Sequence, residues 1–100
     1  MNHKEAIKII KTALKARSGK IWSVTAGTSY GWITIGAPPS RRSEFGFMSD
    51  EDRAELAKLL GLKTVHQQGE LIPASTAYRQ EYIDRAEGKQ PSVAGTPYWD

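Results

Sequence analysis

The sequence predicts one small α+β domain, in which an N-terminal helix packs on an antiparallel β-hairpin or three-stranded sheet and two helices follow. Three observations predict this class: helical spacing of apolar residues near the start, two alternating β-branched runs around a glycine-bounded loop, and clear helix-end signals further on. A chain of 100 residues, 39% of them hydrophobic, can bury one modest core. We place the domain at residues 1–88 and an irregular tail, with two prolines and a glycine, at 89–100.

The first helix is expected over residues 3–17. Asn2 is a suitable N-cap, and Ser18 with Gly19 provides the stop signal. Its apolar positions share one side of the helix: Ala6, Ile7, Ile9, Ile10, Ala13 and Leu14. The side that carries Ile7, Ile10 and Leu14 is expected to pack on the hairpin.

The hairpin is expected from strands at residues 20–26 and 32–37, joined by the loop 27–31. Both runs alternate and are rich in β-branched and aromatic residues. Trp22 and Trp32 fall on these adjacent strands. If both are exposed they form a stacking platform for bases, whereas if both are buried they belong to the core, which is the favoured interpretation.

A short third strand is predicted at residues 45–48, directly before the second helix. Ser49 caps that helix, three acidic residues occupy its first turn, and Gly61 with Leu62 has the form of a Schellman ending. The dipole of the helix explains the acidic residues better than a cation site does. The predicted buried side consists of Ala54, Leu56, Ala57, Leu59 and Leu60.

Residues 64–66 and 70–72 flank a Gln-Gln-Gly turn and predict a minor hairpin. A third helix is expected over residues 76–87, capped by Ser75 or Thr76 and followed by a glycine. Glu81 and Asp84 lie three apart on this helix. Because nothing nearby in the sequence suggests a raised pKa or a nucleophile, we expect both carboxylates to be solvated.

Lysines form a positive edge on the first predicted helix, at an i, i+4, i+7, i+11 spacing that keeps them on one side. A basic loop that follows two prolines adds two arginines. Such side chains bind phosphates without base contacts, so they predict a nonenzymatic module for nucleic acid or another polyanion, including an acidic protein. The alternative is a solvated helix face that serves solubility. The candidate residues are Lys4, Lys8, Lys11, Lys15, Arg41 and Arg42.

Aromatic residues predict a second class of function, a protein-interaction or self-associating module that forms a homo-oligomer. Tyrosine and tryptophan are enriched in interface cores. The candidates are two tyrosines of the third helix and the apolar pair near the C-terminus: Tyr78, Tyr82, Tyr98 and Trp99.

Catalytic and metal-ligating patterns are absent from the sequence. It has no cysteine, and its two histidines, His3 and His66, belong to no metal-ligand motif. We therefore predict no enzyme activity, no metal and no cofactor. The absence of cysteine and of a long apolar run predicts a cytoplasmic protein without a membrane partner.

Four stretches resemble a group of small uncharacterised bacterial proteins, some of them linked to plasmids and phages. These stretches are KARSGKIWSVT, GWITIGAPP, DEDRAEL and IPASxxYRxEYI. Together they span about residues 15–84, which is most of the chain. The resemblance implies one domain, and it brings no assigned activity.

Overall fold

Six elements follow one another as α-β-β-α-β-α in the computed structural model, which describes residues 2–27, 31–38 and 47–91. They are α1 (His3–Ser18), β1 (Ser23–Ala26), β2 (Ile33–Gly36), α2 (Asp50–Leu60), β3 (Glu70–Ile72) and α3 (Thr76–Ala86). The helices and the sheet form a small compact α+β domain, so the predicted fold class is confirmed.

The helix ends lie where the capping residues of the sequence predict them. Asn2, Ser49 and Ser75 each accept a hydrogen bond from the backbone N–H three residues later, at 2.9 to 3.1 Å. Gly19 and Gly61 end α1 and α2 in the left-handed conformation, with φ of 77° and 70°. Local side-chain chemistry therefore fixes these boundaries.

The sheet has the order β1-β2-β3 and is antiparallel throughout. Thr25, Thr34 and Leu71 lie side by side across the three strands. The predicted third strand at residues 45–48 is wrong in position: residues 47 and 48 lie in no strand, and 45 and 46 fall outside the described residues. The third strand instead follows α2, where its hydrogen-bonding partner is β2.

Gly69 allows the chain before β3 to lie close to β2. Its φ is +108°, and a side chain at this position would collide with the backbone carbonyl of Ile35 on β2. Only glycine allows so close an approach of two backbones. Of the predicted minor hairpin, the strand at residues 70–72 is present as β3, but it pairs with β2 rather than with residues 64–66, which contribute only a single bridge between His66 and Gly69.

The core lies between the sheet and the helices. α1 packs on β1 and beside α3, and α2 packs against α3. Trp22 is fully buried, and its indole Nε1 donates to Ser18 Oγ at 2.9 Å. Trp32 is half-buried, so the two tryptophans do not form an exposed stacking pair. The fully buried side chains include Ala6, Ile10, Leu14, Ile33, Ile35, Leu56, Ile72 and Ala86.

Three expectations for the helices are wrong. Ala54 is exposed rather than buried. Glu81 and Asp84 are 8% and 7% exposed rather than solvated. Burial of these carboxylates is compensated by hydrogen bonds, because Arg85 Nε donates to Glu81 at 2.9 Å and Gln80 Nε2 donates to Asp84 at 3.0 Å.

Candidate functional site

Lys4, Lys8, Lys11 and Lys15, which we call the lysine row, are all exposed on α1. The buried residues of the same helix, Ala6, Ile10 and Leu14, point into the core. Since a helix rises about 1.5 Å per residue, the row extends over about 16 Å. The amphipathic pattern of α1 thus holds four ammonium groups on one outward side.

No lysine of the row makes an ion pair with a carboxylate of the described residues. Four basic side chains elsewhere in the described residues do, whereas the exposed Lys58 and Lys63 do not. The ion pairs join Lys20 to Glu55 and Asp52, Arg53 to Asp50, Arg85 to Glu81, and Lys89 to Glu87. The row therefore has positive charge that the described residues leave uncompensated.

Lys20 shows how the domain uses a lysine internally. Its ammonium binds Glu55 and lies 3.8 Å from Asp52, which is only 1% exposed. The same group lies 5.8 Å from the centre of the Trp22 ring, close enough for a cation–π contact. Lys20 thus ties the end of α1 to α2 and is compensated there.

Two arginines stabilise the C-terminal ends of the helices. The Nη1 of Arg17 donates to the carbonyls of Leu59, Arg85 and Ala86 at 2.8, 3.1 and 2.9 Å. Arg85 in turn donates to the carbonyl of Leu60 at 3.0 Å. These carbonyls lack partners within their own helices, and the helix dipole makes them attractive to cations.

Tyr78 and Tyr82 belong to the fold of this domain. Tyr82 is 7% exposed, and its hydroxyl donates to a carboxylate oxygen of Glu70. Burial, followed by the hydrogen bond and charge of Glu70, raises the pKa of Tyr82 well above its ordinary value of 10.0. Tyr78 is half-buried and packs against the core. The tyrosine ring at 82 is therefore not an exposed anchor for a partner.

The remaining predicted site residues lie outside the described residues. They are Arg41, Arg42, Tyr98 and Trp99. Their proposed roles in polyanion binding and protein interaction stay predictions.

An open groove of about 540 Å³ runs along α1 beside the lysine row. We call it the α1 groove; Ile9, Thr12, Ala13 and Ala16 line it, and Lys8, Glu5 and Glu87 border it. Sequence reasoning missed this feature because it assigned Ile9 and Ala13 to the buried side of the helix. Both are half-buried, whereas Ala16 is exposed. An apolar arc wider than the core contact requires was the signal that could have revealed it.

No family model, curated protein or solved structure matches this chain. The resemblance to small bacterial proteins therefore stays a prediction. Within residues 2–27, 31–38 and 47–91, no helix is both long and apolar enough to cross a membrane. In the same part of the chain, no cluster of three or more His, Cys, Asp or Glu side chains could hold a metal ion.

Proposed function

We propose that the domain is a nonenzymatic binding module that holds a polyanion along the lysine row of α1. The observation that supports this function is that four exposed lysines share one side of a single helix and none of them pairs with a carboxylate of the described residues. Lys20, Arg53 and Arg85 bind carboxylates of the domain, whereas the row is exposed and has no such partner among the described residues. An external anion can therefore bind the row without breaking an ion pair of the described residues.

Counterion release gives this binding its driving force. Each strand of duplex DNA carries one charge per about 3.4 Å of axis, so about 16 Å of row spans about five phosphates of one strand, enough for four lysines. Each lysine that neutralises a phosphate releases a condensed counterion. Lysine is a compact point charge, so contacts of this kind position a polyanion without reading its sequence.

The test measures binding of duplex DNA, RNA and polyglutamate between about 50 and 200 mM salt. Four engaged lysines predict a slope of about −3 to −4 in log K against log[salt] on duplex DNA. The double substitution Lys8→Gln with Lys11→Gln should reduce that slope by about two, because two contacts are lost. Arg41→Gln with Arg42→Gln should reduce it further if the basic loop contributes.

A matched control removes the same charge elsewhere. Lys58 and Lys63 are exposed and lie off α1, so Lys58→Gln with Lys63→Gln should leave the slope nearly unchanged. The proposed function is wrong if none of the three polyanions binds at about 50 mM salt, where screening is weak. It is also wrong if the control pair lowers affinity as much as the row pair.

A further inference from the structure

Building on the proposed function, we infer that the polyanion is an acidic amphipathic helix of another protein. Its apolar side would seat in the α1 groove, and its carboxylates would lie on the lysine row. This inference names the class of partner for the same site.

The α1 groove lies directly beside Lys8 of the lysine row. Ile9, Ala13 and Ala16 place apolar surface directly beside Lys8, along the same helix. A phosphate backbone gains nothing from burying this surface, whereas leucine or isoleucine side chains do. Ile9 and Ala13 already pack against the core, which gives the groove a fixed floor, and the small Ala16 allows another helix to approach closely.

Charges of both signs surround the α1 groove. The lysine row lies on one side, and Glu87 at the end of α3 contributes a carboxylate to the lining as well. Glu5, near the start of α1, adds a second carboxylate. Glu87 pairs with Lys89 at 3.3 Å, whereas Glu5 makes no ion pair with the described residues, so a polyanion that spread across the groove would meet the uncompensated charge of Glu5 and be repelled. A helix with acidic residues along only one edge keeps its negative charge on the row, so its charge pattern is complementary.

The outward surface of α1 is small. With 16 residues, α1 is about 24 Å long and, with side chains, about 10 Å wide. This surface offers a few hundred Å², below the roughly 800 Å² per partner of a standard stable interface. The groove therefore suits one helical segment better than it suits a second copy of the whole domain.

The experiment uses two labelled peptides on the full chain at about 100 mM salt. One is an alanine-based helix of about 20 residues with glutamates at i, i+4, i+7 and i+11 and leucines along the adjacent edge. The other has the same composition in shuffled order. We expect the patterned peptide to bind about tenfold more tightly, because only it buries its leucines while pairing its glutamates.

Ala16→Gln tests the groove itself, since it fills the groove without changing charge. This variant should bring the patterned peptide to within about twofold of the shuffled one. Ala54→Gln, at an exposed alanine of α2, is the matched control and should keep the full preference. Circular dichroism of each variant checks that the helices are retained.

Three results would overturn the inference. If both peptides bind equally and Lys8→Gln with Lys11→Gln weakens both, the row binds polyanions without using the groove. The partner class is also wrong if duplex DNA binds more tightly than the patterned peptide. In both cases the proposed function survives. If neither peptide nor any nucleic acid binds, the proposed function fails as well.

Discussion

Two basic regions of this domain differ in what holds their charge. Arg17 and Arg85 donate to backbone carbonyls at the ends of α2 and α3, whereas Lys8 and Lys11 of the lysine row are exposed and make no ion pair with the described residues. The arginines bind atoms of the fold, and the lysines face solvent. Net charge alone, +3 for the chain, does not separate these roles, but the partner of each side chain does.

The two regions use different basic residues, arginine in one and lysine in the other, for a chemical reason. The Nη1 of Arg17 lies within hydrogen-bond distance of three carbonyls, which share its two N–H groups, and the planar guanidinium holds that nitrogen in a fixed direction. The ammonium of a lysine in the row is a strongly hydrated point charge on a flexible chain. Such a group adapts to a moving anionic partner, and it contributes little to stability while exposed.

The largest expected effect comes from the buried side of α1, which supports both basic regions. Ile10→Ala should lower the free energy of unfolding by about 2–5 kcal/mol, because transfer and cavity terms add at a fully buried position. Urea titration measures this change in the free energy of unfolding. A change within about 0.5 kcal/mol would show that α1 does not depend on this contact.

Arg17→Ala should lower the free energy of unfolding by about 1–2 kcal/mol. The substitution removes the donor of the Leu59 and Ala86 carbonyls, while the Arg85 carbonyl keeps its hydrogen bond from the Gly88 N–H at 3.0 Å, and the partial exposure of the site limits the loss. Arg17→Lys, which keeps the charge, should recover only part of the stability because one ammonium cannot reproduce the geometry. Thermal and urea unfolding of both variants test this prediction. If Arg17→Ala has the same stability as the native chain, Arg17 does not stabilise the fold.

Tyr82→Phe should cost about 1 kcal/mol at neutral pH, since Glu70 loses its buried donor. The folded protein raises the pKa of Tyr82 above its unfolded value, so the folded state retains a proton that the unfolded state releases. The associated stability is complete below about pH 10 and decreases as the pH rises further. The native chain should therefore lose more stability above about pH 10 than Tyr82→Phe does; equal losses would contradict the prediction.

The smallest effect on stability is expected for the row itself. Lys8→Gln with Lys11→Gln should change the free energy of unfolding by no more than about 0.5 kcal/mol, because helix propensities are similar and like charges are removed. The same pair should change polyanion binding strongly. A large loss of stability in this double variant would show that Lys8 and Lys11 stabilise the fold. The two basic regions would then not differ in this respect.

Much of the fold follows from local sequence signals. The caps at Asn2, Ser49 and Ser75 and the glycines after α1 and α2 depend on neighbouring backbone atoms only, so the sequence predicts them well. The third strand depends on a pairing between β2 and β3, some 35 residues apart. The sequence does predict a strand at residues 70–72, but as the partner of residues 64–66, because a strand of three residues carries almost no periodic signal that could indicate a distant partner.

The candidate site likewise has features that the sequence predicts and features that depend on tertiary contacts. Helical spacing alone predicts that Lys4, Lys8, Lys11 and Lys15 share one side. Whether a lysine is compensated depends on contacts between distant positions, such as Lys20 with Glu55, 35 positions later. The burial of Glu81 and Asp84 likewise comes from tertiary packing, which no local pattern encodes.

The hydrogen bonds of Arg17 also affect local opening at the ends of α2 and α3. One side chain of α1 holds the last turns of α2 and α3, so those turns cannot fray independently while α1 is in place. Amide hydrogens at these helix ends should then exchange with solvent as one cooperative unit. A partner bound along α1 would slow that exchange at sites it never touches.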